Sequence, residues 1–206
     1  MFYFIKTPWV LKKFYGGCIW NMPNDKKIIY LTFDDGPHPV ATPFILEELK
    51  KYNAKGTFFC IGKNVIEQHD LYKRILTEGH RVGNHTHHHL NGWKTPDKTY
   101  FDDILQAASY IDTNLFRPPY GRISRFQLAN LKTAFDYKVV MWDILSADFD
   151  RALSGEKCAM NVIANAGPGS IIIFHDSEKA FERMSVALPK VLSHFAAQGY
   201  SFDAIN

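Results

Sequence analysis

Cysteine is scarce in this 206-residue chain: Cys18, Cys60 and Cys158 are odd in number and far apart. That excludes a disulfide scaffold and leads us to expect buried free thiols in a reducing compartment. Long apolar runs are missing as well. The N-terminal MFYFIKTPWVLKKFYGGCIW is aromatic, but Lys6, Pro8, Lys12 and Lys13 interrupt it before it reaches a signal h-region or the roughly 20 residues of a membrane span. We read no export signal and no transmembrane segment, which points to the cytoplasm, with association at the cell envelope as the alternative. Residues 1–25 are expected to pack across one end of a domain formed by 26–206, in preference to touching a membrane surface. A block of one charge sign is also absent: 24 basic and 21 acidic residues are spread along the chain for a net charge of +3. That distribution does not favour a nucleic-acid partner. Hydrophobic residues at 46% and charged residues at 22% fit one soluble globular domain with a sizeable core.

What is present is an alternation of strand-like and helix-like segments. The run Ile28 to Phe33 is β-branched, aromatic or apolar and reads as a strand buried on both faces, stopped by Gly36-Pro37. Thr42 is the expected cap of a helix over ATPFILEELKKYN, with Pro43 at its first position. GTFFCIG reads as a second strand, DLYKRILTEG as a helix capped by Asp70 and stopped by Gly79, and RVGNH as a third strand end. A helix around 101–111, the loop FRPPYG, a helix around 126–135 and the strand KVVMW follow. PGSIIIFHDS supplies another buried strand, then a helix runs through LPKVLSHFAAQG to a short strand near Tyr200. About seven strands, each followed by a helix, predict an α/β fold with a parallel sheet, either closed into a barrel or doubly wound.

The unusual polar residues collect just after the strands. TFDDGP sets Asp34 and Asp35 side by side at the end of a buried run, where two carboxylates lose hydration and repel each other. A cation, an arginine or a shared proton would compensate them; a solvated turn is the plainer alternative. In NHTHHH, His85 and His89 stand four apart and would face the same way in a single helical turn, with His85 and His88 nearly as well placed. A carboxylate from Asp34 or Asp35 would complete a two-histidine, one-carboxylate set with open positions, as in catalytic zinc sites. The leftover Asp would then be a base, Arg117 in RPPYG could hold it ionised, and His175 in FHDS could give a proton to a departing amine. In α/β barrels that end of the strands carries the chemistry.

In this order, TFDDGP, HTHHH, RPPYG, WDILSADF and IIIFHD resemble the five motifs of the polysaccharide deacetylases of carbohydrate esterase family four, from about Lys27 to the C-terminus. The resemblance implies a distorted, TIM-barrel-like (β/α) barrel of about seven parallel strands. It also implies hydrolytic removal of acetyl from N-acetylated amino sugars, such as N-acetylglucosamine units of chitooligosaccharide or peptidoglycan. Asp34 would be the general base, oriented by Arg117. Asp35, His85 and His89 would bind a divalent metal, usually Zn2+, although Co2+, Ni2+ or Fe2+ suit such donors too. His175 would be the general acid tuned by Asp148, the backbone N–H of Tyr120 would stabilise an oxyanion, and Ile173 would line the pocket for the acetyl methyl. Pro119 and Trp93 complete the expected substrate-contacting set, and Trp142 is expected in the core.

Two departures from the family's pattern stand out. Its fourth motif commonly runs Asp-Thr/Ser-x-Asp-Trp, whereas this chain has Leu145-Ser146-Ala147-Asp148-Phe149, which changes the groove and bears on the substrate. His87 and His88 are extra histidines, and Thr86 is expected to brace their loop. An O-acetyl esterase acting on a polysaccharide such as xylan, a metal-dependent amidase of small non-sugar substrates, and a non-catalytic carbohydrate-binding relative remain as alternatives.

Overall fold

The computed structural model describes residues 3–23 and 25–206. The chain runs α1 (Trp9–Phe14), β1 (Ile28–Asp34), α2 (Ala41–Lys51), β2 (Gly56–Cys60), α3 (Gly62–Glu67), α4 (His69–Thr77), β3 (Arg81–Asn84) and α5 (Asp97–Ala108). It continues through β4 (Leu115–Phe116), a single 3-10 turn (Pro119–Gly121), α6 (Arg125–Thr133), β5 (Lys138–Val139), β6 (Ile144–Leu145), α7 (Gly155–Ile163), β7 (Ile171–His175), α8 (Glu178–Ala197) and β8 (Ser201–Phe202). Seven strands lie in the order β5-β4-β3-β2-β1-β7-β6, and β8 joins the first two residues of β1; every pairing is parallel. The result is a curled, distorted (β/α) barrel.

Side-chain alternation along the central strands sorts the core into two layers. Ile29, Leu31 and Phe33 of β1, Phe58 of β2, and Ile172 and Phe174 of β7 pack outward with α2, α7 and α8. Tyr30, Phe59 and Ile171 fill the barrel interior with Leu115, Val140 and Ile205. On the same inward phase, β1 ends at Asp34 and β7 at His175, which are register partners. Two polar residues thus come to lie side by side at the barrel's C-terminal mouth.

The seam of the barrel departs from expectation. β5 and β6 follow each other through residues 140–143 with no helix between them, so a simple strand-then-helix repeat fails there. The N-terminal segment lies along this gap. Met141 donates to Ile19 O at 2.8 Å, Ile19 to Val139 O at 2.8 Å, Thr7 to Asp143 O at 2.8 Å and Leu145 to Ile5 O at 2.8 Å. These bonds satisfy two strand edges that a sheet would otherwise expose.

Local helix signals were partly overridden. Thr42 is not a cap: α2 starts at Ala41, and His38 Nδ1 accepts from the Val40 and Ala41 N–H groups while buried Thr42 accepts from His38 N at 2.7 Å. Asp70 lies in the first turn of α4 instead of capping it, because Gln68 ends α3 and opens α4 directly. The last helix starts ten residues before Leu188 and carries Pro189 inside it; the buried stripe of Ala180, Met184, Ala187, Val191 and Phe195 outweighs one lost backbone bond. All three cysteines are free and buried, as expected. No helix among the described residues is long and apolar enough to cross a membrane.

Candidate active site

The loops that follow β1, β3, β4, β6 and β7 converge on one cleft of about 660 Å³, lined by Asp34, Asp35, His85, His89, Trp93, Tyr120, Ile173 and His175 among others. Left-handed backbone is concentrated there. Asp35, Thr86, His89, Tyr120 and Ala147 all have positive φ despite carrying side chains, a cost proteins tolerate mainly where function sets the geometry.

Asp34 is the last residue of β1 and points inward; Asp35, at φ 84°, swings its carboxylate away from the strand's course. Gly36 follows because nothing larger fits: a Cβ there would lie 1.8 Å from Asp176 Oδ2. Asp176, buried just after β7, accepts from Gly36 N at 2.8 Å and from the Thr42 hydroxyl at 2.7 Å, which ties the loop after β1 to the loop after β7. Asp176 is the acid of the FHDS segment, to which the sequence alone assigns no task.

His85 and His89 do meet Asp35, but not through a helical turn. The segment is a loop in which Thr86 and His89 adopt φ of 63° and 58°, and this reversal brings the rings together with centroids 5.1 Å apart. His89 Nε2 lies 3.2 Å and His85 Nε2 3.7 Å from Asp35 Oδ1. The loop is held from beneath by Asp103 of α5, which accepts from His87 N, His88 N and His88 Nδ1 at 2.8, 2.9 and 2.6 Å. His88 is therefore engaged elsewhere and does not pair with His85 towards the cleft. Thr86 braces the loop as expected, accepting from Leu90 N at 3.1 Å.

These three side chains fit a divalent cation. Their ligand atoms all lie within 4.8 Å of one another. His85 Nδ1 donates to Arg117 O at 2.7 Å, which fixes the tautomer and leaves Nε2 as a bare lone pair towards the acids. Asp35 Oδ1 is buried with no hydrogen-bond donor aligned on it. Burial pushes His85 down to about 4, which leaves it neutral, as a metal-binding imidazole has to be. Burial alone would raise the Asp35 carboxyl, but His89, His175 and His85 around it outweigh that and hold it well below the usual carboxylate range.

Two buried pairs flank this cluster. Arg117 donates through Nη1 to Asp34 Oδ1 at 2.7 Å, leaving Oδ2 3.8 Å from His85 Nε2. Asp148, wholly buried, accepts from His175 Nδ1 at 2.7 Å and from His175 N at 2.8 Å. Burial would lower the His175 imidazole, yet the Asp148 charge outweighs it and raises it to about 9, so this ring is protonated near neutral pH. Arg117 and Asp148 stand behind the cleft wall. Pro119 is buried at the start of the 3-10 turn and is not among the lining residues, whereas exposed Tyr120 and Trp93 form the rim. Trp142, expected in the core, is half-buried and lines the cleft. Phe149 packs edge-on against His175 at 5.5 Å, and Leu145 lines the cleft beside Ile173.

Known proteins resemble this chain in sequence and in fold. The polysaccharide deacetylase family profile matches residues 21–140. A Bacillus cereus peptidoglycan-N-acetylglucosamine deacetylase is 37% identical over 197 residues, covering 93% of this chain and 92% of that protein. A chitooligosaccharide deacetylase of Azorhizobium caulinodans is 34% identical over 163 residues, covering 76% and 77%. Among solved structures, a peptidoglycan N-acetylglucosamine deacetylase in complex with 4-naphthalen-1-yl-N-oxidanyl-benzamide superimposes with a TM-score of 0.88 at 32% identity, over 97% of this chain and 95% of that one.

Proposed function

The chain belongs to the polysaccharide deacetylase family, carbohydrate esterase family four, and on that premise we propose that it is a metal-dependent hydrolase removing acetyl from N-acetylglucosamine units of an oligo- or polysaccharide. One observation carries this reading. An arginine-held carboxylate, Asp34, and an aspartate-held imidazolium, His175, border the same Asp35, His85 and His89 donor set. A carboxylate base and a protonated imidazole flanking one donor set are what amide hydrolysis needs.

A divalent cation bound by Asp35, His85 and His89, most simply Zn2+, would polarise the acetyl carbonyl and acidify a water beside it. Asp34 takes the proton of the attacking water on Oδ2, the oxygen that Arg117 leaves free. The water oxygen bonds to the acetyl carbon while the Tyr120 backbone N–H supports the charge on the carbonyl oxygen. His175 then gives its proton to the departing nitrogen as the C–N bond breaks, leaving acetate and a free amino sugar. Arg117 and Asp148 act through Asp34 and His175. Ile173 and Leu145 offer carbon to the acetyl methyl.

The test is acetate release from N-acetylglucosamine oligomers and from acetylated xylan, side by side, with zinc-loaded wild type and Asp34→Asn. Release from the oligomers that drops on the order of 10²-fold or more in the variant, with zinc still bound, supports the reading. Release from xylan alone makes the chain an O-acetyl esterase, and release from neither rejects the sugar assignment.

A further inference from the structure

The reacting centre occupies only part of its cleft. The same cavity continues into an arm walled by Pro8, Leu11, Tyr15 and Trp20 of the N-terminal segment and by Met141 and Trp142 of the barrel seam. The side-chain donors of Thr7, Tyr15 and Trp20 in this arm are turned into the protein. Tyr15 donates its hydroxyl to Ile123 O at 3.1 Å, Trp20 Nε1 to Tyr15 O at 3.1 Å, and the Thr7 hydroxyl to Trp142 O at 2.8 Å. At the rim, Trp93 Nε1 donates to Ile123 O at 2.8 Å and Arg122 lies over the Trp93 ring at 4.2 Å. Leu145, in the motif position where the family commonly carries an acid, adds more carbon. Outward from the arm, Trp9 and Val10 of α1 continue the apolar surface, 71% and 56% exposed.

A further sugar ring in this arm would surrender hydroxyl hydration for few partners, whereas carbon placed there leaves water at no such cost. We propose that the arm is a subsite for an aliphatic aglycone. The preferred substrate is then an amphiphilic N-acetylhexosaminide, one amino sugar carrying an aliphatic chain, instead of an uninterrupted polysaccharide. The assignment rests on the deacetylase reading for its chemistry, but the occupant is argued from the arm itself: it belongs to the same cavity as the reacting centre, and the side-chain donors of Thr7, Tyr15 and Trp20 beside it are already bonded.

Two measurements test it. The first compares kcat/KM for methyl, butyl and octyl N-acetyl-β-glucosaminides with that for chitotetraose. A gain of roughly three- to fourfold per methylene over the first few carbons is expected, with the octyl glycoside ahead of the tetramer. A flat series with the tetramer ahead overturns the subsite while leaving deacetylation intact. The second uses zinc-free protein and the neutral dye N-phenyl-1-naphthylamine, whose fluorescence rises in apolar sites. The octyl but not the methyl glycoside should displace the dye, and Leu11→Asp, a change at a solvent-touching position, should weaken both dye and octyl glycoside binding at least tenfold. Dye that does not bind, or that Leu11→Asp leaves unaffected, also overturns it. Dye binding with the expected variant effect but no acetate from any substrate would reject the deacetylase reading and keep the apolar site.

Discussion

Arg117 Nη1 donates to Asp34 Oδ1 at 2.7 Å, and both side chains are buried. The guanidinium crosses the barrel interior to make this contact, also donating to Thr32 Oγ1 at 2.7 Å, Val140 O at 3.1 Å and Met141 O at 2.8 Å, and lying over Phe59 at 4.1 Å. It fastens β1 to the seam while it sets the carboxylate. Burial pushes the Arg117 guanidinium down and the Asp34 charge works against that, so each needs the other. Arg117→Ala is expected to cost about 3–5 kcal/mol in chemical denaturation, because it strands a buried carboxylate. A loss under about 1 kcal/mol would mean that Asp34 is already reached by solvent.

With His175 as the proposed acid, the His175–Asp148 pair is expected to set the alkaline limit of activity. The His175 pKa is raised to about 9, so the proton it must donate is present below that value and lost as pH rises through it. The same shift contributes stability that is full below the ordinary histidine pKa of about 6.5 and disappears as pH climbs through about 9. Asp148→Asn removes the charge responsible. The alkaline limb of the kcat profile should therefore move to lower pH, and an unmoved limb would assign it to another group.

Metal binding should be visible as stability. A cation that binds only the folded chain adds about 2.7 kcal/mol at a hundred times its Kd. Thermal unfolding with zinc and with a chelator should differ accordingly for wild type, and His89→Ala, which removes one of the three donors, should abolish most of the difference. An undiminished zinc shift in that variant would place the metal elsewhere.

Asp103 supports the histidine loop from α5 without touching the cleft. Asp103→Ala leaves His87 N, His88 N and His88 Nδ1 without their acceptor, so the loop carrying His85 and His89 should loosen. Zinc affinity is expected to fall about 10–100-fold by calorimetry, the range for losing an outer support of a metal ligand. Asp103→Asn, which keeps one acceptor oxygen, should recover part of the loss.

The site was legible wherever a residue's neighbours along the chain carried the information. TFDDGP at a strand end, paired histidines, and His175 closing an apolar run announce charged chemistry at a barrel mouth. The supporting residues were much harder to read. Asp103 is one more acid in a polar helix until its three donors come into view, and Asp176 is one more strand-end polar residue until Gly36 and Thr42 meet it. The histidine loop departs from its sequence pattern, because spacing of four suggests a helical turn, while left-handed Thr86 and His89 reach the same convergence by a different route.

The sequence by itself determined the parallel α/β architecture and the order of the polar side chains at the strand ends that the cleft gathers, because strand alternation and strand-end chemistry are encoded within a few adjacent residues. The family resemblance named the Arg117–Asp34 and Asp148–His175 pairs, but only the tertiary structure brings their atoms together and lays the N-terminal segment along the β5–β6 seam, where it walls the cleft. Those contacts join residues up to about 140 positions apart, as Leu145 N and Ile5 O are, and their formation depends on how the sheet curls. No periodicity along the chain records that curl, since closure depends on the summed twist and packing of all the strands together.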